Sequence, residues 1–186
     1  MPRLIAEKHD TIPALAELFR AKGFEGASIN QISKATNLGR GSLYNFFPGG
    51  KDDMARAVIG HVHQWFEAEI FTPLHEDLPE VAIPRMFTAC QSYFKSGQRI
   101  CLIGVFALDE TRDKFAKQIS NYFLRWHDCL TSALMRSGHS EDQATSKATQ
   151  IIAGIQGAIV LSRAMNDPEV FNATIKQLKA LSEKSE

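Results

Sequence analysis

The sequence predicts an all-α protein with an N-terminal three-helix domain and a larger C-terminal helical domain. Apolar residues recur at helical spacing along most of the chain, beginning with Leu15, Leu18 and Phe19. Capping residues and Gly or Pro stops separate these stretches, and the sequence has neither strand signals nor internal repeats. We place the domain boundary after residue 50, so the predicted domains are 1–50 and 51–186.

Composition is that of an ordinary globular protein. The hydrophobic share of 44% and the charged share of 23% argue against disorder in this 186-residue chain. The most apolar stretches, 101–108 and 151–161, are too short for a bilayer span, which takes about 20 apolar residues. The chain start lacks the apolar region of a signal peptide. We therefore expect a cytoplasmic protein without membrane association.

Charge and cysteine content say little about a partner. The net charge is zero, so any case for DNA binding depends on where the charged side chains lie. The cysteines Cys90, Cys101 and Cys129 form no CxxC pair, which indicates free thiols in a reducing compartment.

The first two helices have clear boundaries. The first is predicted from Thr11, because Pro13 is tolerated only in a first turn, and Gly23 should stop it. Ser28 and Gln31 form a capping box that opens the second helix.

The second and third helices are predicted to form a helix-turn-helix. Residues 37–39 should form the turn, and the third helix should cover 40–46. The small Ala35 should let the two helices cross closely, while Leu38 fills the angle between them. An apolar rear at Leu43 and Phe47 would leave a polar outer side for DNA. That outer side comprises Arg40, Ser42, Tyr44 and Asn45.

Further helices account for the rest of the chain. A helix from Lys51 should end at Phe71, before Thr72-Pro73. Others are predicted near 86–94, 101–108, 115–134, 140–164 and from 168, giving about nine helices in all.

Residues 11–57 resemble the DNA-binding domain of the TetR family of repressors. The resemblance rests on Leu18-Phe19, Gly23-Phe24, Ser28–Ile32, Leu38–Phe47 and Lys51–Met54. Beyond them, the chain resembles the family in length, helical content and the run at 156–164. The Phe-Pro-Gly-Gly-Lys turn at 47–51 is similar to a subgroup tied to drug-efflux and aromatic-compound responses.

The resemblance implies a DNA-binding role for a small set of residues. Ser28, Tyr44 and Lys51 match phosphate contacts, and Arg40 and Ser42 match positions that face the bases. Gly39 replaces a common Ser or Thr, and Phe46 stands where His is frequent. The predicted DNA-binding set is Ser28, Gly39, Arg40, Ser42, Tyr44, Asn45 and Lys51.

The resemblance also implies a ligand-controlled repressor. Such a protein binds a near-palindromic, double-stranded operator as a homodimer, and a small apolar or aromatic effector releases it; no cofactor and no enzyme activity are expected. The aromatic stripes are core residues by default, but in this family the region between helices four and eight encloses a ligand cavity. The predicted pocket comprises Trp65, Phe66, Phe87, Gln91, Phe94, Phe106, Phe123 and Trp126, with Tyr93 and Asp109 as further polar anchors.

The last two helices are predicted to form the dimer interface. Their apolar stripes comprise Ile151, Ile152, Ile155, Ile159, Phe171, Ile175 and Leu178. Gly154 and Ala158 would permit close approach. The alternative is that these stripes pack only within one chain.

Other interpretations remain open. One is an all-α small-molecule-binding or enzymatic domain without DNA function; another is a redox-sensing repressor that uses Cys101, although a thiol in an apolar stretch is usually a buried hydrophobe. A metal site at His61, His63 and Glu67 is disfavoured, because residues two apart on a helix do not face together.

Overall fold

The computed structural model describes residues 7–110 and 112–184, and it confirms the all-α prediction. The α-helices are α1 (Ile12–Gly26), α2 (Ile29–Thr36), α3 (Arg40–Phe46), α4 (Lys51–Phe66), α5 (Thr72–Glu76), α6 (Pro79–Tyr93), α7 (Leu102–Leu108), α8 (Ala116–Arg136), α9 (Glu141–Met165) and α10 (Pro168–Ser182). Lys8–Thr11 and Arg112–Phe115 are 3₁₀ turns, and Glu67–Phe71 is a π-helical turn. Within the described ranges no residue lies in a strand.

Two compact units make up the chain. The first takes its described residues from Met1–His63 and Leu102–Ile119, and the second from Gln64–Cys101 and Ser120–Glu186. The division falls inside α4 and α8. These units differ from the predicted domains 1–50 and 51–186, which were defined by function and stay a prediction.

An aromatic cluster explains why residues 102–119 belong to the first unit. Gly23 takes a left-handed φ of 68°, which breaks the regular helix and lets Phe24 enter the core. Phe24 lies 5.3 Å from Phe115 between ring centroids, and Phe19 lies 5.9 Å from Phe106. All four rings are buried, so α7 and the following turn complete the core that α1 begins.

The predicted end of α4 at Phe71 is wrong. The backbone stays helical through Phe71 and Thr72, and α5 continues to Glu76. A proline inside an α-helix clashes with the carbonyl group four residues earlier and removes one hydrogen bond. The π-helical turn directly before Pro73 widens the helix there, so that the proline is accommodated without a stop.

The apolar stripes of α9 and α10 pack against each other within the chain. Ile151, Ile155 and Ile159 are buried, as are Phe171, Ile175 and Leu178, while Ile152 is half-buried. A Cβ atom at Gly154 would lie 2.8 Å from Leu178 Cδ2, so the glycine permits this internal approach. Because buried side chains offer no surface to a partner, these six residues do not fit the predicted dimer interface. An apolar stripe shows that a face is covered but not which chain covers it.

Candidate nucleic-acid interface

The start of α2 forms as predicted. Ser28 is extended (φ −74°, ψ 155°), and its Oγ accepts a hydrogen bond from the Gln31 amide at 3.3 Å. The Ser28 amide donates to Gln31 Oε1 at 2.9 Å. The capping box therefore fixes the entry to α2 and leaves Ser28 exposed at its N-terminus.

The turn between α2 and α3 depends on Asn37. This residue caps α2 in the left-handed conformation at φ 56°, and Ser33 Oγ donates to the Leu38 carbonyl oxygen at 2.5 Å. Leu38 is half-buried, in keeping with its predicted place between the helices. The role predicted for Ala35 is wrong, because Ala35 is exposed; Ile32 is the buried residue of α2.

The third helix separates an apolar rear from a polar front. Leu43 and Phe47 are fully buried, which anchors α3 to the first unit. The predicted DNA-contacting residues of this helix are all exposed: Gly39, Arg40, Ser42, Tyr44 and Asn45. Tyr44 keeps 47% of its surface exposed, a large value for an aromatic side chain. Phe46, at the position where the family often has His, is half-buried.

The basic residue Lys51 stands at the start of α4. Its Nζ lies 3.4 Å from Glu25 Oε2 and 4.3 Å from the centroid of the Phe24 ring. Lys114 Nζ lies 5.0 Å from the same ring and 3.2 Å from Asp52 Oδ1. Glu25 and Phe24 therefore hold the Lys51 side chain in place, and that side chain is only 23% exposed.

One contact at this surface could not be predicted from the sequence. Asn30 Oδ1 accepts a hydrogen bond from Arg40 Nη2 at 2.5 Å, which joins the first turn of α2 to the first residue of α3. Asn30 lies in the matched stretch Ser28–Ile32, but its partner could not be predicted, because the contact exists only when the two helices are packed.

The residues predicted to line a ligand pocket divide between the two units. In the second unit Phe66 lies at the centre of a ring cluster, 4.9 Å from Tyr93, 5.0 Å from Tyr122 and 5.5 Å from Trp126. Trp65 lies 4.4 Å from Tyr93. Sequence reasoning missed Tyr122, which lies one position before the half-buried Phe123 that was predicted.

The remaining pocket candidates have different surroundings. Phe87 and Phe94 are buried in the second unit, and Gln91 Nε2 donates to Asn172 Oδ1 at 2.7 Å. Phe106 and Asp109 belong to the first unit, where Phe106 packs 5.2 Å from Phe115. Phe106 is thus explained by core packing.

Two surface grooves are lined by residues outside the predicted set. One, of about 510 Å³, lies in the second unit among residues of α6, α8 and α10, including Ile83, Arg136 and Lys179. Another, of about 450 Å³, lies between α8 and α9 and includes Thr131 and Met135.

Neither a metal centre nor a membrane span is found in the described part of the chain. Over residues 7–110 and 112–184, no group of three or more His, Cys, Asp or Glu side chains could hold a metal ion. The same ranges contain no helix long and apolar enough to cross a membrane.

A capped helix-turn-helix with an exposed polar third helix, followed by a second helical unit, defines a DNA-binding transcriptional regulator. Residues 12–58 match the family described as "Bacterial regulatory proteins, tetR family", and residues 79–177 match "Transcriptional regulator LmrA/YxaF-like, C-terminal domain". The second match covers more than half of the chain. The protein belongs to the TetR family of transcriptional regulators, as the sequence indicated.

Relatives of similar length support this assignment. The chain is 27% identical over 174 residues to the HTH-type transcriptional regulator YxaF of Bacillus subtilis, with 91% of each protein covered. It is 25% identical over 156 residues to the HTH-type transcriptional regulator LmrA of the same organism, covering 81% of this chain and 83% of LmrA. The subgroup suggested by the turn at 47–51 stays a prediction.

Solved structures show the same fold. A TetR transcriptional regulator from Legionella pneumophila has a TM-score of 0.83 at 22% identity, covering 96% of this chain and 98% of that one. A regulatory protein TetR from Rhodobacter sphaeroides has a TM-score of 0.78 at 17% identity, covering 93% and 97%.

Proposed function

We propose that the protein is a repressor that binds a near-palindromic operator as a homodimer and leaves it when a small apolar or aromatic effector binds. In this proposal residues 1–50 read DNA, and residues 51–186 bind the ligand and dimerise. The main observation behind this proposal is that α3 exposes a polar face. The opposite side of α3 is anchored by the buried side chains of Leu43 and Phe47. The role requires no catalytic step, and it places the protein with the chromosome in the cytoplasm.

Operator binding is tested with Arg40→Ala and Tyr44→Ala. Both side chains are exposed, so the melting temperature should stay near that of wild type. Each variant should lose about 1–3 kcal/mol of DNA affinity in a shift assay on genomic fragments. If the combined variant bound as tightly as wild type, α3 would not be the reading helix.

The homodimer is supported by the outer face of α9. Residues 148–162 contain no charged residue, although part of this stretch faces outward. Val160 and Leu161 of α9 are 63% and 53% exposed in the single chain. An uncharged, exposed apolar face of this kind fits the isologous contact of a two-fold dimer. We therefore place the interface on this face in place of the buried stripes.

The effector proposal is supported by the ring cluster around Phe66. These rings pack against one another in the single chain, and their apolar, aromatic composition suits a flat apolar molecule that separates them on binding. An effector that binds the released state better needs only about 1–3 kcal/mol of coupling to change operator affinity 5- to 150-fold. Release of the protein from its operator by a panel of aromatic compounds is the direct measurement.

The thiol switch at Cys101 is the second candidate. Cys90, Cys101 and Cys129 are all buried, and reactive thiols need access to solvent. Diamide should therefore leave the wild-type protein on its operator. Release by diamide alone, abolished in Cys101→Ser, would replace the effector proposal with oxidation.

A further inference from the structure

We propose that Asn30 is a specificity-determining residue that orients Arg40 toward one base pair of each operator half-site. The proposal rests on the proposed function, in which Arg40 faces the bases. Asn30 lies in the first turn of α2 and Arg40 begins α3, and the hydrogen bond between them spans ten residues of sequence. Both side chains are exposed on the surface assigned to DNA.

The residues on either side of Arg40 carry no side chain that could orient it. Gly39 and Gly41 flank it, and the place where either would carry a Cβ has no atom within 4 Å other than those of its chain neighbours and its own helix backbone. Gly39 is also the N-cap of α3 and offers no side chain for a capping bond. A long arginine side chain in such open space keeps most of its rotamer freedom. The contact that restricts Arg40 comes from α2.

Because of the geometry of its guanidinium group, an Arg40 side chain held by Asn30 should prefer particular DNA bases. Arginine has five N–H donors in a fixed fork, and the Asn30 carbonyl oxygen uses one of them, on Nη2. Donors remain for O6 and N7 of guanine, the base that arginine reads by paired hydrogen bonds. Because the fork is planar and rigid, fixing one of its nitrogens limits the directions in which the others point. The pair should therefore favour guanine at one position of the half-site.

The test measures base preference as well as affinity. The full-length protein selects from a pool of operators in which each half-site position is randomised in turn. Asn30→Ala should weaken the preference for guanine at the Arg40 position by about three- to tenfold, because Arg40 must then be ordered upon binding. Arg40→Ala should lose the preference at that same position. Asn30→Ala should have no further effect on preference in the Arg40→Ala background.

Two further variants separate orientation from general effects. Asn30→Asp keeps an acceptor oxygen, so it should retain the guanine preference while the added charge weakens binding to all sequences. Lys34→Ala removes another exposed side chain of α2 and should leave every base preference unchanged.

The inference is overturned if Asn30→Ala keeps the wild-type preference, or if it alters a position other than the one lost in Arg40→Ala. A wild-type protein that enriches no sequence would overturn the proposed function, and this inference with it. Melting temperatures of the variants should match that of wild type, since both side chains are exposed.

Discussion

Gly41 occupies an exposed position in the first turn of α3, where an added methyl group would meet no protein atom. Alanine favours a helix by about 0.5–1 kcal/mol over glycine, so Gly41→Ala should raise the unfolding midpoint in urea. We expect Gly41→Ala to lower operator affinity at the same time, because in the proposed function DNA approaches this part of the backbone closely.

Gly60→Ala is the matched control for that prediction. Gly60 lies in α4 and also has no atom within 4 Å of its Cβ position. The Gly60→Ala variant should be more stable than wild type and should bind the operator with unchanged affinity. Equal affinities for Gly41→Ala and wild type would show that DNA does not pack against this glycine.

Two buried thiol groups and a buried tyrosine hydroxyl should make the free energy of unfolding depend on pH. Burial raises the pKa of the Cys90 thiol far above its ordinary value, and burial also raises the pKa of Cys129 and Tyr122. Because each pKa is higher in the folded chain, the unfolded chain releases its protons first as pH rises. The stabilising contribution is complete below the unfolded pKa, about 8.5 for a cysteine, and declines above it.

The free energy of unfolding should fall by up to about 1.4 kcal/mol per pH unit for each proton that the unfolded chain releases and the folded chain keeps. Urea unfolding between pH 8 and pH 10 measures it, with Cys90→Ala as the comparison. The variant should lose stability less steeply than wild type over this interval. Parallel curves would mean that Cys90 ionises as easily in the folded chain as in the unfolded one.

At the scale of single elements, we expect the helix to tolerate Pro73 because the π-helical turn Glu67–Phe71 comes before it. A π-helical turn holds one more residue than the α-helix around it, and Ala68 is an exposed residue of this turn. Deleting Ala68 should restore regular α-helix and bring Pro73 against a carbonyl group, at a cost of about 3 kcal/mol in unfolding free energy. Adding Pro73→Ala to the deletion should recover most of that loss.

Deletion of Gln64 serves as the control for the helix register. Gln64 lies in the regular part of α4, so its removal should turn all later side chains about the helix axis. Phe66 would leave the core, and Pro73→Ala should give no recovery. Similar recovery in both deletions would contradict the link between the wide turn and the proline.

The elements also show which features a sequence can predict. The capping box at Ser28 formed as expected, because its hydrogen bonds join residues three apart. The contact of Asn30 with Arg40 and the burial of Phe106 depend on packing between separate helices, which periodicity does not specify. The stripe containing Ile155 was predicted to form the dimer interface, but in the single chain it packs against α10.

At the scale of the whole molecule, the proposed dimer would depend on the uncharged face of α9. Val160→Glu places a charge on this face without entering the core, since Val160 is exposed in the single chain. We expect sedimentation to show a folded monomer at micromolar concentration. Operator affinity should fall about 10²-fold or more, because two linked reading helices gain from binding together.

Ala173→Glu introduces the same charge at an exposed position of α10 and should leave the dimer intact. If Val160→Glu also remained a dimer, the contact would lie elsewhere. Ile155→Glu cannot answer this question, because Ile155 is fully buried and its replacement would unfold the chain.

Phe106 and Phe115 complete a core that begins with Phe19 and Phe24, and this has a consequence for synthesis on the ribosome. When residue 63 has been translated, the rings of α1 still lack their partners from the later segment. At roughly 5–20 residues per second, roughly 3 to 10 seconds pass before Phe115 is added. During that interval the nascent chain presents the rings of Phe19 and Phe24, which stack on each other, to chaperones and proteases without their later partners Phe106 and Phe115. A messenger truncated just after α4 would therefore yield a degradation substrate instead of a minimal DNA-binding module.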